Sequence, residues 1–473
     1  MKALTAGGLC LLAALAQAEW IQSVGQSERC IAMGGACVAR AGDYGAYYHN
    51  PAAAASFKKP LIGGNFRILD TTRLDLRDSL GNQDIPKTNT EGKLALAPTV
   101  AGYIPWGDRI TFGVGLGAPF AISADWDNDE GLHRYNMSEQ ALFVLELTPT
   151  AAFEVNERLS VGVGLNVIVL KHLKLEALIP LSFGAALPPA LGGAGAIIPT
   201  TPDSQIIGSI ALETDGDANL GIPPDDFATA FDEFAVTLGV QYQATDRLRL
   251  GAVYRTGTDS EWDGDLTLEI GGMPQTVGFD LDLDLPAHLQ VGFAYEVVPG
   301  QLDWSVDLQW TRWSEADGIG SPAVIGFDAP LVGFINDLEL DYEGDDTMTF
   351  RTGLEYRLGP RWSLMAGYAR DGAIFDDSRV DILTYDSDRN IVSAGAVWDR
   401  RDPESGSGWM LMGGVQAMLY ESRKIRTGES QNLGGVSLPN LLDGDTLSFT
   451  ANRGEFEYGG AIWAASFSFQ YGF

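Results

Sequence analysis

The chain has 473 residues, 45% of them hydrophobic and 20% charged, with 57 glycines, a composition that excludes a disordered chain and suits a β-rich architecture with many turns. Length alone suggests two or three soluble domains, yet a large β-barrel of this size is one domain. A formal net charge of -32 excludes nucleic acid as a partner, because phosphate binding needs a Lys/Arg surface.

Residues 1–18, MKALTAGGLCLLAALAQA, combine a basic Lys2, an apolar run from Leu9 to Ala16 and a small-x-small end, which predicts a secretory signal peptide with the mature chain starting at Glu19. The apolar run is shorter than the ~20 residues a spanning helix needs. Residues 19–58 are expected to form a plug, centred on the Gly- and Ala-rich stretch Glu28 to Phe57. Cys30 and Cys37 would lie in an oxidising compartment, where a disulfide is permitted. An unbroken helix would hold them roughly 10 Å apart, whereas Gly34 and Gly35 can break it; a bridge and two free buried thiols both stay open. A phosphate-cradling loop at Gly34-Gly35 is excluded, since no Lys-Ser/Thr follows and no βαβ unit surrounds it.

From Pro60 onward, segments alternate apolar with small or polar residues at period two, the mark of strands with two different faces. Ile110, Phe112, Val114 and Leu116 oppose Thr111, Gly113, Gly115 and Gly117; Leu159, Val161, Val163 and Leu165 oppose Ser160, Gly162, Gly164 and Asn166. The second face carries Gly, Ser or Thr rather than bulky charges. An apolar outside with a polar, roomy inside is the pattern of a transmembrane barrel, which lipid solvates from without. The last strand alternates Trp463, Phe467, Phe469, Tyr471 and the terminal Phe473 with smaller residues.

Short turns alternate with long loops. Turns fall at Trp106-Gly107-Asp108, Asn156-Glu157, Ala244 to Asp246, Pro299-Gly300, Gly359-Pro360 and Arg400 to Ser407; loops fall near 74–93, 127–139, 176–231, 257–278, 318–345, 372–388 and 427–452. The expectation is an all-β, 14-stranded antiparallel transmembrane β-barrel spanning 59–473, closed around the N-terminal plug. Ala177 to Pro199 contains no charged residue, but its Pro and Gly content makes it an apolar extracellular loop rather than a helix. The acidic run Asp125 to Gly131 misplaces the Gly and the bidentate Glu of a calcium loop, so no metal site is expected.

Asn50-Pro51-Ala52 closes the small-residue stretch, Ala118 to Trp126 lies in the third strand, Trp310-Thr311-Arg312-Trp313-Ser314 follows Leu285-Pro286, and Asp376-Asp377-Ser378 precedes Asp388-Arg389. On these pieces, in that order, the mature chain resembles the outer-membrane long-chain fatty acid transporter family, which also includes aromatic-hydrocarbon uptake channels. The resemblance implies loop capture of a hydrophobic molecule, a shift of the plug, and lateral exit through a gap at a kinked third strand. It implies gate residues at Asn50, Pro51, Pro119 and Ala121, the last standing where relatives commonly carry Gly, and a last strand read by barrel assembly machinery. It further implies a cation for a ligand carboxylate: Lys171 and Lys174 stand at one such place, while Trp313 to Gly318 supplies none at the other.

Phe120, Trp126, Ile179 and Phe183 are the candidate apolar ligand contacts. The expected function is passive uptake of long-chain fatty acids through the Gram-negative outer membrane, with uncharged aromatic hydrocarbons as the alternative ligand. The expected protein is a monomer in contact with outer-membrane lipid, without cofactor. Two other function classes compete with this one. A barrel enzyme is disfavoured because the four histidines, His49, His133, His172 and His288, lie in no nucleophile motif. A non-selective porin would conduct ions whether or not residues 19–57 were present.

Overall fold

The computed structural model describes residues 25–40, 42–80, 83–84, 88–89, 94–125, 138–180, 205–214, 233–331, 335–340, 343–380, 386–402, 406–426, 436–439, 446–449 and 456–473. Residues 1–24, Trp126, Phe183, His133, the acidic run after Asp125 and the apolar stretch beyond Pro180 lie outside them.

Fourteen long strands form the wall: β1 (Leu61–Leu80), β2 (Leu94–Trp106), β3 (Ile110–Asp125), β4 (Glu139–Asn156), β5 (Leu159–Pro180), β6 (Phe234–Gln243), β7 (Leu248–Arg255), β8 (Ala287–Val298), β9 (Leu302–Arg312), β10 (Thr347–Arg357), β11 (Trp362–Asp371), β12 (Arg389–Asp399), β13 (Gly408–Ile425) and β14 (Phe456–Gly472). Each pairs antiparallel with its sequence neighbours, and β14 closes the ring on β1 with Leu61 opposite Gly472. Closure gives every strand two neighbours, so an edge is left only where a ladder stops short of its strand's end. The outward positions carry exposed Ile104, Val114, Val163, Leu238, Leu308, Leu354, Val415 and Phe467. Such a belt is stable only where hydrocarbon is the solvent. The six short turns fall where the sequence places them.

One slip of the apolar period lies in β5. Glu146 of β4 pairs with Ile168 and Leu145 with Leu170, leaving Val169 as an extra residue. A bulge of one residue exchanges the two faces of everything beyond it. Below it Val161 and Val163 face out; above it Leu173, Leu175, Ala177 and Ile179 are buried. Beyond the bulge β5 also changes partner. It pairs with β6 up to Val167 and, from Lys174 to Pro180, with Ile206–Thr214. That strand continues through Glu261–Ile270, Met273–Asp282, Ala323–Leu331 and Ile335–Leu340 as an extracellular sheet. The start of the apolar loop read from Ala177 is therefore a strand, because alternation persists to Ile179.

Residues 25–40 and 42–57 sit inside the barrel and are almost wholly buried. They form α1 (Glu28–Ala32), α2 (Ala46–His49) and a 3-10 turn (Pro51–Ser56). Gly34 and Gly35, at φ 67° and 84°, fold the chain back after α1, and Cys30 and Cys37 are disulfide-bonded with Cα atoms 5.7 Å apart. The bare inner face of the wall is not open space at this level. A Cβ on Gly115 would stand 2.3 Å from the Tyr47 ring, on Gly162 2.4 Å from Ala52 N, and on Gly367 2.1 Å from Gly34 N. The lumen glycines are seats for the plug.

Candidate functional site

The plug is held by charge as well as shape. Glu355 of β10, fully buried, receives Arg29 through Nε at 3.2 Å and Nη2 at 2.6 Å, and also binds Arg40 Nη2. A fork-on-fork arginine contact fixes orientation as well as distance. Asp307 of β9 accepts from Val38 N at 2.9 Å, and Gln241 of β6 donates to the carbonyls of Val38 and Arg40.

Asn50 and Pro51 are anchored. Asn50 Nδ2 donates to Val38 O at 2.7 Å and to Val240 O of β6 at 3.1 Å, while Oδ1 caps the 3-10 turn by accepting from Ala52 N at 3.0 Å. The pair presses on Gly162 of β5 and Gly239 of β6. In this closed arrangement Asn50-Pro51 is a fixed joint on the β5–β6 side and does not face Ala121, because its side-chain bonds all go to the plug and β6.

The wall is interrupted at β3. Its ladder with β2 runs from Trp106 opposite Ile110 to Val100 opposite Leu116, and among the described residues no pairing continues above it. On the other side, Gly117 pairs with Glu146 and Phe120 with Val144, so Ala118 and Pro119 bulge out of register. Pro119 has no N–H for a ladder. Ala121 is already back in register opposite Phe143, so the break needs no glycine there. The sequence reading missed what occupies the gap. Gln26 Nε2 donates to Ala118 O at 2.8 Å, and Gln26 Oε1 accepts from Thr99 Oγ1 of β2 at 2.8 Å. One plug side chain bridges the two strands that have parted. No local pattern marks Gln26 for this, since its role depends on which strands face it.

Above the plug lies a continuous apolar cluster that includes Phe120, Val144, Leu173, Ile179, Leu212, Trp262, Phe279, Trp313, Ile374 and Phe375. Phe120 and Ile179 are thus brought together. The two candidate lysines are not. Lys171 points to the rim of the cluster, its Nζ 5.4 Å from the centroid of the Trp262 ring, but it is bound to Glu233 and to the carbonyl of Glu261. Lys174 falls on the opposite face of β5, paired with Glu139 at 2.6 Å and near Glu176 at 3.9 Å, because strand alternation puts neighbours three apart on opposite sides. Neither lysine stands ready for a ligand carboxylate. Elsewhere in the lumen Arg255 is paired with Glu146 and Arg389 with Asp371.

Glu28 gives the plug a pH-dependent contact. Its Oε2 meets Ser466 Oγ of β14, its Oε1 is buried without a hydrogen-bond partner, and Arg67 of β1 lies near. Burial pushes this carboxyl up to about 7, against the opposing pull of Ser466 and Arg67. A raised carboxyl favours the seated plug at low pH and withdraws that support as pH rises from 4.5 through about 7,. Glu28→Gln is expected to equal the wild type near pH 4 and to show slower hydrogen exchange across residues 25–57 as pH rises past 7. A pH-independent difference would contradict this. His49, held neutral by burial with Nε2 accepting from Gln26 N at 3.3 Å, is common to both proteins and cancels.

The comparisons agree with this geometry. The family model described as "Outer membrane protein transport protein (OMPP1/FadL/TodX)" matches residues 9–412. Outer membrane protein P1 of Haemophilus influenzae is 23% identical over 316 residues, covering 64% of this chain and 62% of that protein, so the match spans less than two thirds of the relative's length. Among solved structures, a FadL homologue from Pseudomonas aeruginosa superposes with a TM-score of 0.72 at 18% identity, covering 96% of this chain and 99% of the other. The P. putida toluene transporter TodX gives 0.64 at 17%, covering 95% and 99%. At such identities these structures bear on the fold.

Proposed function

This chain belongs to the outer membrane protein transport family OMPP1/FadL/TodX, and on that premise we propose that it is a channel for passive uptake of hydrophobic molecules across the Gram-negative outer membrane. The observation that carries the proposal is the parting of β2 and β3 beside the apolar cluster, closed by Gln26 of the plug. A greasy molecule leaving sideways there passes from apolar cluster to lipid without full exposure to water. The downward route is less suited to it. A cavity of ≈ 650 Å³ beside the periplasmic turns is lined by the charged Arg29, Arg357, Arg361 and Asp399 as well as by Pro360, Trp362 and Val397. In this reading Gln26, Pro119 and the bulge form the gate, and the anchored Asn50-Pro51 joint is the pivot against which residues 25–49 move.

Gln26→Ala is expected to raise the rate of hydrophobic uptake into lipid vesicles by up to about thirtyfold. It removes two bonds of the seal, each worth about 1 kcal/mol. Uptake that is non-saturable, or equal in wild type and in a variant lacking residues 25–49, would overturn the channel reading. Of the two ligand classes, an uncharged hydrocarbon suits the site better than a fatty acid, since both candidate lysines are neutralised from within.

A further inference from the structure

Resting on that channel reading, we propose that Glu233 is a specificity-determining residue, an internal carboxylate that occupies the ammonium of Lys171 and so restricts the channel to uncharged hydrophobic molecules.

The pair stands where the wall forks. β5 leaves β6 at Val167 opposite Phe234 and is next paired on that side, from Lys174, with the extracellular sheet; Lys171 lies in the interval where β5 pairs with β4 alone, and Glu233 immediately precedes β6. Lys171 and Glu233 side chains are only 20% and 23% exposed. Every direction in which the ammonium could donate is taken: the Glu233 carboxylate, the Glu261 carbonyl and the face of Trp262. The carboxylate is held as firmly, with its second oxygen accepting from Ser260 Oγ at 2.9 Å and its backbone carbonyl from Ile168 N at 3.3 Å. Trp262 cannot swing away, because its Nε1 donates to Leu283 O at 3.0 Å and the ring is fully buried among the apolar cluster.

Where Lys171 meets the apolar cluster, the chain therefore provides a closed ion pair. A ligand carboxylate entering the cluster would lose its hydration without gaining a partner, which is strongly unfavourable. A ligand without charge loses nothing by comparison. The head-group preference is set by Glu233, whereas the apolar cluster sets the preference for a greasy body.

The test measures equilibrium binding of palmitate and of methyl palmitate, which differ in charge at one end, to the full chain in lipid nanodiscs, corrected for empty nanodiscs. The wild type is expected to bind methyl palmitate saturably and palmitate more weakly. Glu233→Gln should raise palmitate affinity about tenfold and leave methyl palmitate unchanged. The double variant Glu233→Gln, Lys171→Met, which removes both charges and leaves neither orphaned, should lose that gain. All three proteins should keep the heat-modifiable mobility of a folded barrel. Wild-type binding of methyl palmitate with no palmitate gain in Glu233→Gln overturns this inference alone, as does a gain that survives loss of Lys171. Absence of saturable binding of either ligand by the wild type overturns the channel reading and this inference with it.

Discussion

Glu355→Gln is expected to unseat the plug while the barrel stays folded. Glu355 is fully buried and binds both Arg29 and Arg40, whose side chains are 20% and 9% exposed. Asp303 lies 3.7 Å from Arg40 but is shared with Arg357 at 2.5 Å, so it cannot replace the lost carboxylate. Removing one partner of a buried pair leaves the other charge without compensation and costs about 3–5 kcal/mol. The partial exposure of Arg29 places this case at the lower end, still about a hundredfold in the seating equilibrium. The expected result in planar bilayers is ionic conductance well above the wild type, with folded-barrel mobility unchanged. Wild-type conductance would mean that the backbone bonds to Asp307 and Gln241 and the glycine seats hold the plug unaided.

A single methyl group should have a comparable effect at Gly162. An added Cβ there would meet Ala52 N and Pro51 C at 2.4 Å, backbone atoms that cannot rotate away. Gly164, two residues along the same inner face, provides the control, since its nearest neighbour is the Thr148 methyl at 3.2 Å. Forcing an atom into a packed contact costs about 1–3 kcal/mol when side chains can yield, and more when they cannot. Gly162→Ala should lift the Asn50-Pro51 joint from the wall, break the Asn50 bond to Val240 O, and speed hydrogen exchange across residues 50–57 at least tenfold. Gly164→Ala should leave exchange close to wild type. Equal exchange in the two variants would refute the role of Gly162 as a seat.

The residues governing these predictions differ in how visible they are in the sequence. The alternation in β3, β5 and β14 and the spacing of turns specify a barrel, because strand faces repeat every two residues and lipid accepts only one of them. Pro119 announces a break in β3 by its missing donor. The Gly- and Ala-rich stretch announces close packing. Lys174 shows the limit of the same logic: a bulge at Val169, undetectable in composition, exchanges the faces of β5 and sends Lys174 away from the apolar cluster while Lys171 points to it.

What the sequence determines by itself is local and periodic: the strand count, the outward apolar belt, the outer-membrane barrel class and the small-residue plug. What only the tertiary structure decides is pairing at a distance. Gln26 meets Thr99 and Ala118, Arg29 and Arg40 meet Glu355, and Lys171 meets Glu233. These partners are tens to hundreds of residues apart, and no propensity or spacing rule connects them. Their meeting depends on the closed ring, which fixes where each strand faces the plug, and on one extra residue in β5, which fixes the side from which each charge looks in.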